Sequence, residues 1–253
     1  SGGIDSALTA TVAVDALGSN NVVGVALPSK YNTEESLVDA RLLAENLDIE
    51  FKVIEIEEIV NIFRNTLKES VNDELGPITD ENIQSRVRGN ILMALSNQTG
   101  AMVVSTGNKS EMAVGYSTLY GDLAGGFALL KDLYKTEVYN LANFRNSISS
   151  VIPQNTIDKE PSAELRPDQF DKDSLPEYEL LDEILRMYIE EDSSSEKIIS
   201  KGIDENIVYD VLSKVDRNEY KRKQVAPGVK LTEKAFGKDR RMPITNTYIR
   251  ERG

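Results

Sequence analysis

The chain has 253 residues and a formal net charge of −13, and no apolar run in it approaches the ~20 residues of a membrane span. It contains neither cysteine nor histidine, which excludes disulfides, thiol nucleophiles, imidazole bases and the usual zinc sites together. Catalysis would have to use carboxylates, lysines, hydroxyls, backbone N–H groups and a hard cation, and magnesium suits that inventory.

The acidic balance argues against a nucleic-acid-binding surface, which would be basic. The charge is uneven, however. From Lys214 to Arg241 there are ten Lys/Arg against four Asp/Glu, a local +6 that leaves −19 for the rest. Such a segment suits a small polyanion, or is a solvated helix face with a charged tail.

Ser1-Gly2-Gly3-Ile4-Asp5-Ser6 opens the chain. Adjacent glycines let successive N–H groups approach phosphate oxygens, and Asp5 is placed to hold a metal. Leu8, Val12 and Ala16 continue at four-residue spacing, so the loop runs into a helix whose N-terminus favours an anion. There is no Walker-type lysine after the glycines. A phosphate loop ordinarily joins a strand to a helix, so a first strand is expected ahead of Ser1.

Val22 to Leu27 then reads as a buried strand, and Thr33 caps a helix with Leu37, Ala40, Ala44 and Leu47 on one face. Ile49, Phe51 and Val53 alternate as a strand, and Ile59, Ile62, Phe63 and Leu67 suggest a helix. Gly76-Pro77 precedes a long helix, read as capped by Thr79, with Ile83, Val87, Ile91, Ala94 and Leu95 facing inward. Ala101 to Ser105 is a further strand. This alternation predicts an α/β fold, a doubly wound parallel sheet with helices on both faces and ligands at the strands' carboxyl ends. Thr106 falls at such an end, near the first loop in space.

Residues 147–176, with four prolines from Pro153 to Pro176, predict an extended loop or lid. A helical part over 177–253 follows, with helices over Tyr178–Glu190 and Asp204–Tyr220. The whole chain, 1–253, reads as one domain.

The stretch from Thr106 to Asp122, TGNKSEMAVGYSTLYGD, is rich in hydroxyl and amide groups and places Glu111 within reach of the metal held by Asp5. With the first loop, Lys131 to Thr136, Lys159 to Leu165, Asn82 to Arg88 and Tyr220 to Arg222, it resembles the NAD synthetase family of ATP pyrophosphatases, in order along the whole chain. The resemblance implies an adenine nucleotide α-hydrolase-like fold and ATP-dependent amidation of deamido-NAD. The nicotinate carboxylate would attack the α-phosphate of ATP, releasing pyrophosphate, and ammonia would then displace AMP from the acyl-adenylate.

Position by position, Ser1, Gly2, Gly3, Ile4, Asp5 and Ser6 resemble the pyrophosphate loop, with Asp5 and Glu111 as Mg2+ ligands. Thr106, Lys135 and Ser162 resemble ATP contacts, Asp5 and Lys135 being the catalytic pair. Asn82, Arg86, Glu111 and Lys221 resemble the deamido-NAD side. Arg88 reads as a solvated helix position, Thr136 as the cap of the helix after Lys135, and Tyr116 and Tyr120 as packing or ring-stacking groups. Leu119 and Gly126 stand where ammonia-dependent members have lysine and aspartate, and this wording is closer to the glutamine-dependent members. Without cysteine, a nitrilase-type glutaminase would have to lie ahead of Ser1, or the enzyme takes free ammonia. The resemblance further implies a cytoplasmic homodimer. The weighed alternatives are a GMP or asparagine synthetase type of ATP pyrophosphatase, or a nucleotide-binding module without catalysis.

Overall fold

The computed structural model describes residues 2–245, so the expectation placed on Ser1 lies outside the described residues. The chain enters at Gly2, and α1 (Ile4–Leu17) begins at once. It is followed by β1 (Val23–Ala26), α2 (Glu34–Asn46), β2 (Glu50–Val53), α3 (Glu57–Val71) and α4 (Pro77–Thr99). Next come β3 (Val104–Ser105), α5 (Lys109–Val114), β4 (Phe127–Ala128), α6 (Lys135–Ile148) and α7 (Gln154–Asp158). The C-terminal part holds α8 (Tyr178–Leu185), α9 (Ser195–Ile199), α10 (Glu205–Arg217) and α11 (Glu219–Arg222). No helix among the described residues is long and apolar enough to cross a membrane.

The strands are parallel, as the alternation of strands and helices requires. β1 pairs with β2 from Val23↔Glu50 to Ala26↔Val53, and β3 pairs with β4 through Val104↔Phe127 and Ser105↔Ala128. Among the described residues these are two separate pairs rather than one continuous sheet. β4 has no counterpart in the sequence reading, because two residues are too short for any alternation to register. The strand expected over Ala101 to Ser105 contracts to its last two residues, since Gly126 N donates to Val103 O and pairing begins only beyond that point.

Several local expectations are corrected. α4 starts at Pro77 with Gly76 as its cap, not at Thr79, because proline's fixed φ suits the first helical position. Ala94 is exposed, since α4 outruns its contact with α3 and only Ile83 and Val87 are fully buried against Ile56 and Val60. Thr136 does not cap α6. Tyr134 stands at its N-cap and donates through N to Glu137 Oε2 at 2.9 Å, and Thr136 instead donates through N and Oγ1 to Asp182 Oδ2 at 2.9 and 2.8 Å. The helix over Tyr178–Glu190 is α-helical only to Leu185 and then widens into a π-turn over Arg186–Glu190. Thr33 does cap α2, accepting from Ser36 N at 3.1 Å.

Two apolar cores flank the site. One packs α1, α2 and α6 through Ile4, Leu8, Leu43, Val138 and Ile152; the other packs α5 against α8 and α10 through Ala113, Leu181, Leu185, Val211 and Leu212. The expected lid contains α7, and its later part is tied down. Glu164 Oε2 accepts from Asn32 at 2.8 Å, Ser36 Oγ donates to Glu164 Oε1 at 2.5 Å, and Gln84 Nε2 donates to Leu165 O at 2.9 Å.

Candidate active site

Three helices present their first turns to one point. Asp5 lies in the first turn of α1, Glu111 is the third residue of α5, and Lys135 opens α6. The Lys135 ammonium donates to Asp5 Oδ2 at 2.5 Å and to Glu111 Oε1 at 3.3 Å. Asp5 and Glu111, 106 positions apart, thus share one cation, 130 positions from Asp5, and helix dipoles from α1 and α6 add positive partial charge where they meet.

Each member is held from behind. Asn108 caps α5 by accepting from Glu111 N at 2.9 Å, and its amide nitrogen donates to Asp5 Oδ1 at 2.8 Å. Ser110 Oγ accepts from Lys135 N at 2.9 Å and itself donates to Asp182. Asp182 on α8 therefore fixes the first turns of both α5 and α6 at once. Gly2 has φ +75°, and a Cβ on it would lie 2.3 Å from Ser36 O. Glycine is required there, and it seats the loop on the first turn of α2. Gly3 is the cap of α1, Ile4 is buried, and Ser6 Oγ donates to Gly3 O at 3.0 Å.

Burial pushes the Glu111 carboxyl up to about 8, against the pull of Lys135. Burial opposes the charge on Lys135, but Asp5 and Glu111 overcome it and hold the ammonium well above the usual lysine range. Asp171 adds a third carboxylate to this field. It is buried, accepts from Tyr178 Oη at 2.7 Å, and leaves Oδ1 without a hydrogen-bond partner. Burial raises the Tyr116 phenol as well, and Asp171 and Glu111 push it further.

The oxygens of Asp5 and Glu111 already converge on a cation, the lysine, so the donor set fits a hard metal with two protein carboxylates. No cluster of three or more acidic side chains suited to a metal occurs among the described residues. Two carboxylates are what magnesium takes when phosphates and water complete its shell.

The remaining expected residues divide. Thr106 follows β3 directly and is half-buried at the strand's carboxyl end. Ser162 is exposed, and its hydroxyl donates to Gln169 O at 2.5 Å within its own segment. Asn82, Arg86 and Lys221 gather on a second face around the segment after α5. Thr118 Oγ1 donates to Asn82 Oδ1 at 2.8 Å, Arg86 Nε to Leu119 O at 3.2 Å, and Lys221 Nζ to Gly115 O and Ser117 O, both at 2.7 Å.

Arg88 is not the solvated residue of the sequence reading. It donates to Leu27 O at 2.9 Å and Asn32 Oδ1 at 3.0 Å, and burial pushes its guanidinium down to about 10. Arg86, two residues earlier, is the exposed one. Tyr120 is exposed at φ +63°, whereas Tyr116 packs beside the C-terminal core. A Cβ at Gly126 would meet the Met102 side chain at 2.9 Å, so the space an aspartate would need there is filled by methionine.

Sequence reasoning missed Asn108, Asp171 and Asp182. The first follows Gly107 and precedes Lys-Ser-Glu, an N-cap with an acidic residue three positions on, and that signal was present. The aspartates gave none, being two among 42 acidic residues.

The family model described as NAD synthase matches residues 1–225. A glutamine-dependent NAD(+) synthetase of Aquifex aeolicus is 54% identical over 250 residues, covering 99% of this chain and 44% of that protein. The chain thus spans less than half the length of the curated relatives it matches. Among solved structures, glutamine-dependent NAD+ synthetase from Acinetobacter baumannii in complex with ADP superposes with TM-score 0.62 at 48% identity, over 97% of this chain and 44% of that one. The NH3-dependent NAD synthetase of Campylobacter jejuni superposes with TM-score 0.68 at 32% identity, over 87% of this chain and 83% of that one. With a family match over most of its length and an acidic pair, lysine and glycine loop gathered at three helix N-termini, the chain belongs to the NAD synthase family.

Proposed function

We propose that this chain carries out the ATP-dependent amidation of deamido-NAD to NAD, with ammonia as the immediate nitrogen donor. The observation that carries the reading is the convergence of Asp5, Glu111 and Lys135 at the first turns of α1, α5 and α6. Gly2, Gly3, Ile4 and Ser6, preceded by Ser1, supply backbone donors for the pyrophosphate part of ATP, while Thr106 and Lys135 contact its phosphates. Ser162 would join them through its hydroxyl.

Asp5 and Glu111 would hold Mg2+, which when bound screens the negative charge of the phosphates. Lys135 then turns from the carboxylates toward phosphate, so its charge stays where charge accumulates during transfer. A nicotinate carboxylate oxygen attacks the α-phosphorus, the bond to the bridging oxygen breaks, and pyrophosphate leaves. Ammonia next adds to the acyl carbon, the carbon–oxygen bond to AMP breaks, and one proton is lost to solvent. Asn82, Arg86 and Lys221 meet the dinucleotide on the second face. Bringing two anions together is chiefly a matter of placement and screening.

The fold reading extends in the same direction. β1 and β3 each have one unpaired edge among the described residues, and a parallel strand between them would join the pairs into one doubly wound sheet. The lid role of 147–176, a homodimer, and a glutaminase part acting with this chain in the manner of its longer relatives belong to the same proposal.

The test is pyrophosphate release from ATP and magnesium in the presence of ammonium. It should require deamido-NAD, yield NAD, and vanish in Asp5→Asn with the fold retained. Glutamine should not replace ammonium, because no cysteine is present to open its amide. Pyrophosphate release without deamido-NAD, or with a purine or aspartate acceptor instead, would refute the substrate assignment.

A further inference from the structure

The residues read as dinucleotide contacts do a second job in this structure. Asn82 and Arg86 on α4 and Lys221 on α11 all grip one five-residue segment, Gly115 to Leu119, from two sides. The segment is not a free loop. It is the direct continuation of α5, whose first turn carries Glu111: Gly115 N and Tyr116 N both donate to Glu111 O. α5 has six residues, a rod of about 9 Å, so whatever fixes one end sets the other.

The segment's ends are also well defined. Gly115 has φ +73°, and a Cβ there would strike the Asn218 side chain at 2.1 Å, while Tyr120 just beyond the segment has φ +63°. Between these two left-handed residues, Thr118 is buried, and its N donates to Asp122 Oδ1 at 2.7 Å. Lys221 has three protons and spends two on Gly115 O and Ser117 O, leaving one for an outside anion. An anion that draws on Asn82, Arg86 and Lys221 therefore acts on the groups that hold the end of α5.

We propose that Gly115–Leu119 couples occupancy of the dinucleotide face to the metal-side carboxylate Glu111, with Thr118 as the positioning residue that passes the contact of Asn82 to α5. This rests on the functional reading above. Its consequence is heterotropic: the dinucleotide and magnesium-bound ATP bind more tightly together than apart, by the same factor in either order. The enzyme is then set for adenylation only when the adenylyl acceptor, the dinucleotide's carboxylate, is present, which protects ATP from idle cleavage.

Titration calorimetry on the full chain tests this, using magnesium with α,β-methylene-ATP, which cannot be cleaved at the α-phosphate. The analogue's Kd is measured with and without saturating deamido-NAD. The wild type should show at least fivefold tightening. Thr118→Val, which keeps the side chain's shape and removes its bond to Asn82, should reduce the tightening below twofold while the analogue alone binds within twofold of wild type. Thr118→Ser restores the hydroxyl and should restore the coupling. A purely structural role would move the separate affinities and the melting temperature, not their ratio. If Thr118→Val melts below the assay temperature, Leu119→Gly, which loosens the same half-buried segment, is read by the same criterion. Full coupling in Thr118→Val, or a wild type that binds both ligands independently, overturns the inference alone. A wild type that binds the ATP analogue but no deamido-NAD overturns the functional reading and this inference with it.

Discussion

Replacing Lys135 by methionine tests the electrostatic centre directly. Methionine keeps an unbranched stem of similar reach and removes the one cation that Asp5 and Glu111 share. At separations of 2.5 and 3.3 Å the gross attractions are about 7 and 5 kcal/mol for an effective dielectric of 20. Desolvation of the lysine, which is only 3% exposed, offsets much of this, and removing one partner of a buried pair costs a net ~3–5 kcal/mol. The loss should depend on pH. Wild-type Glu111 gives up its proton near pH 8, and without the lysine its pKa moves higher still. Between those two values the native mutant holds one proton more than the native wild type, so its stability falls relative to wild type as pH rises, by about 1.4 kcal/mol per unit. Below about pH 7 Glu111 is neutral in both proteins, and the contact with Asp5 alone is lost. Thermal melts at pH 6.5 and pH 9 should therefore show a wider gap at pH 9. Millimolar magnesium should raise the mutant's melting temperature more than the wild type's, since the lysine no longer competes for the same oxygens. Pyrophosphate release should fall about 10²–10³-fold. An identical gap at both pH values would show that Lys135 does not carry the charge of Glu111.

Gly2→Ala should destabilise the protein by about 2–4 kcal/mol and raise the KM for ATP more than tenfold, because a Cβ at φ +75° must move away from Ser36 O; wild-type melting and ATP titration curves would contradict the packing of the loop on α2. Asp132→Ala should cost about 3–5 kcal/mol, since it removes a carboxylate 3.0 Å from the fully buried Lys109 and leaves Glu190 to balance that charge. Asp132 also accepts from Leu231 N and Thr232 N at 2.7 Å, so amide exchange at those two residues should accelerate, and native-like protection there would refute the pinning of the C-terminal segment.

The glycine loop and the helix behind it were legible because their signals are local. Two glycines, an aspartate and a helical period lie within a dozen residues, and each constrains the backbone without help from the rest of the chain. Glu111 and Lys135 were legible for a different reason, the ordered resemblance to one family. Where local signals competed, the sequence misled: Thr79 and Thr136 both look like caps, but proline at the first helical position and the Glu137 carboxylate on Tyr134 N won.

What only the tertiary structure decided is which side chains share a point. Asp5, Asn108, Lys135, Asp171 and Asp182 act on one another across tens to more than a hundred residues, through helices whose relative placement depends on core packing rather than on neighbouring sequence. The same placement turned Arg88 inward and left Arg86 in solvent, although two residues on one helix carry no mark of which will face the strands. It also gave Asn82, Arg86 and Lys221 a common grip on the end of α5. Sequence determines backbone tendencies within a few turns; a charge finds its partner only when separate elements have been packed together.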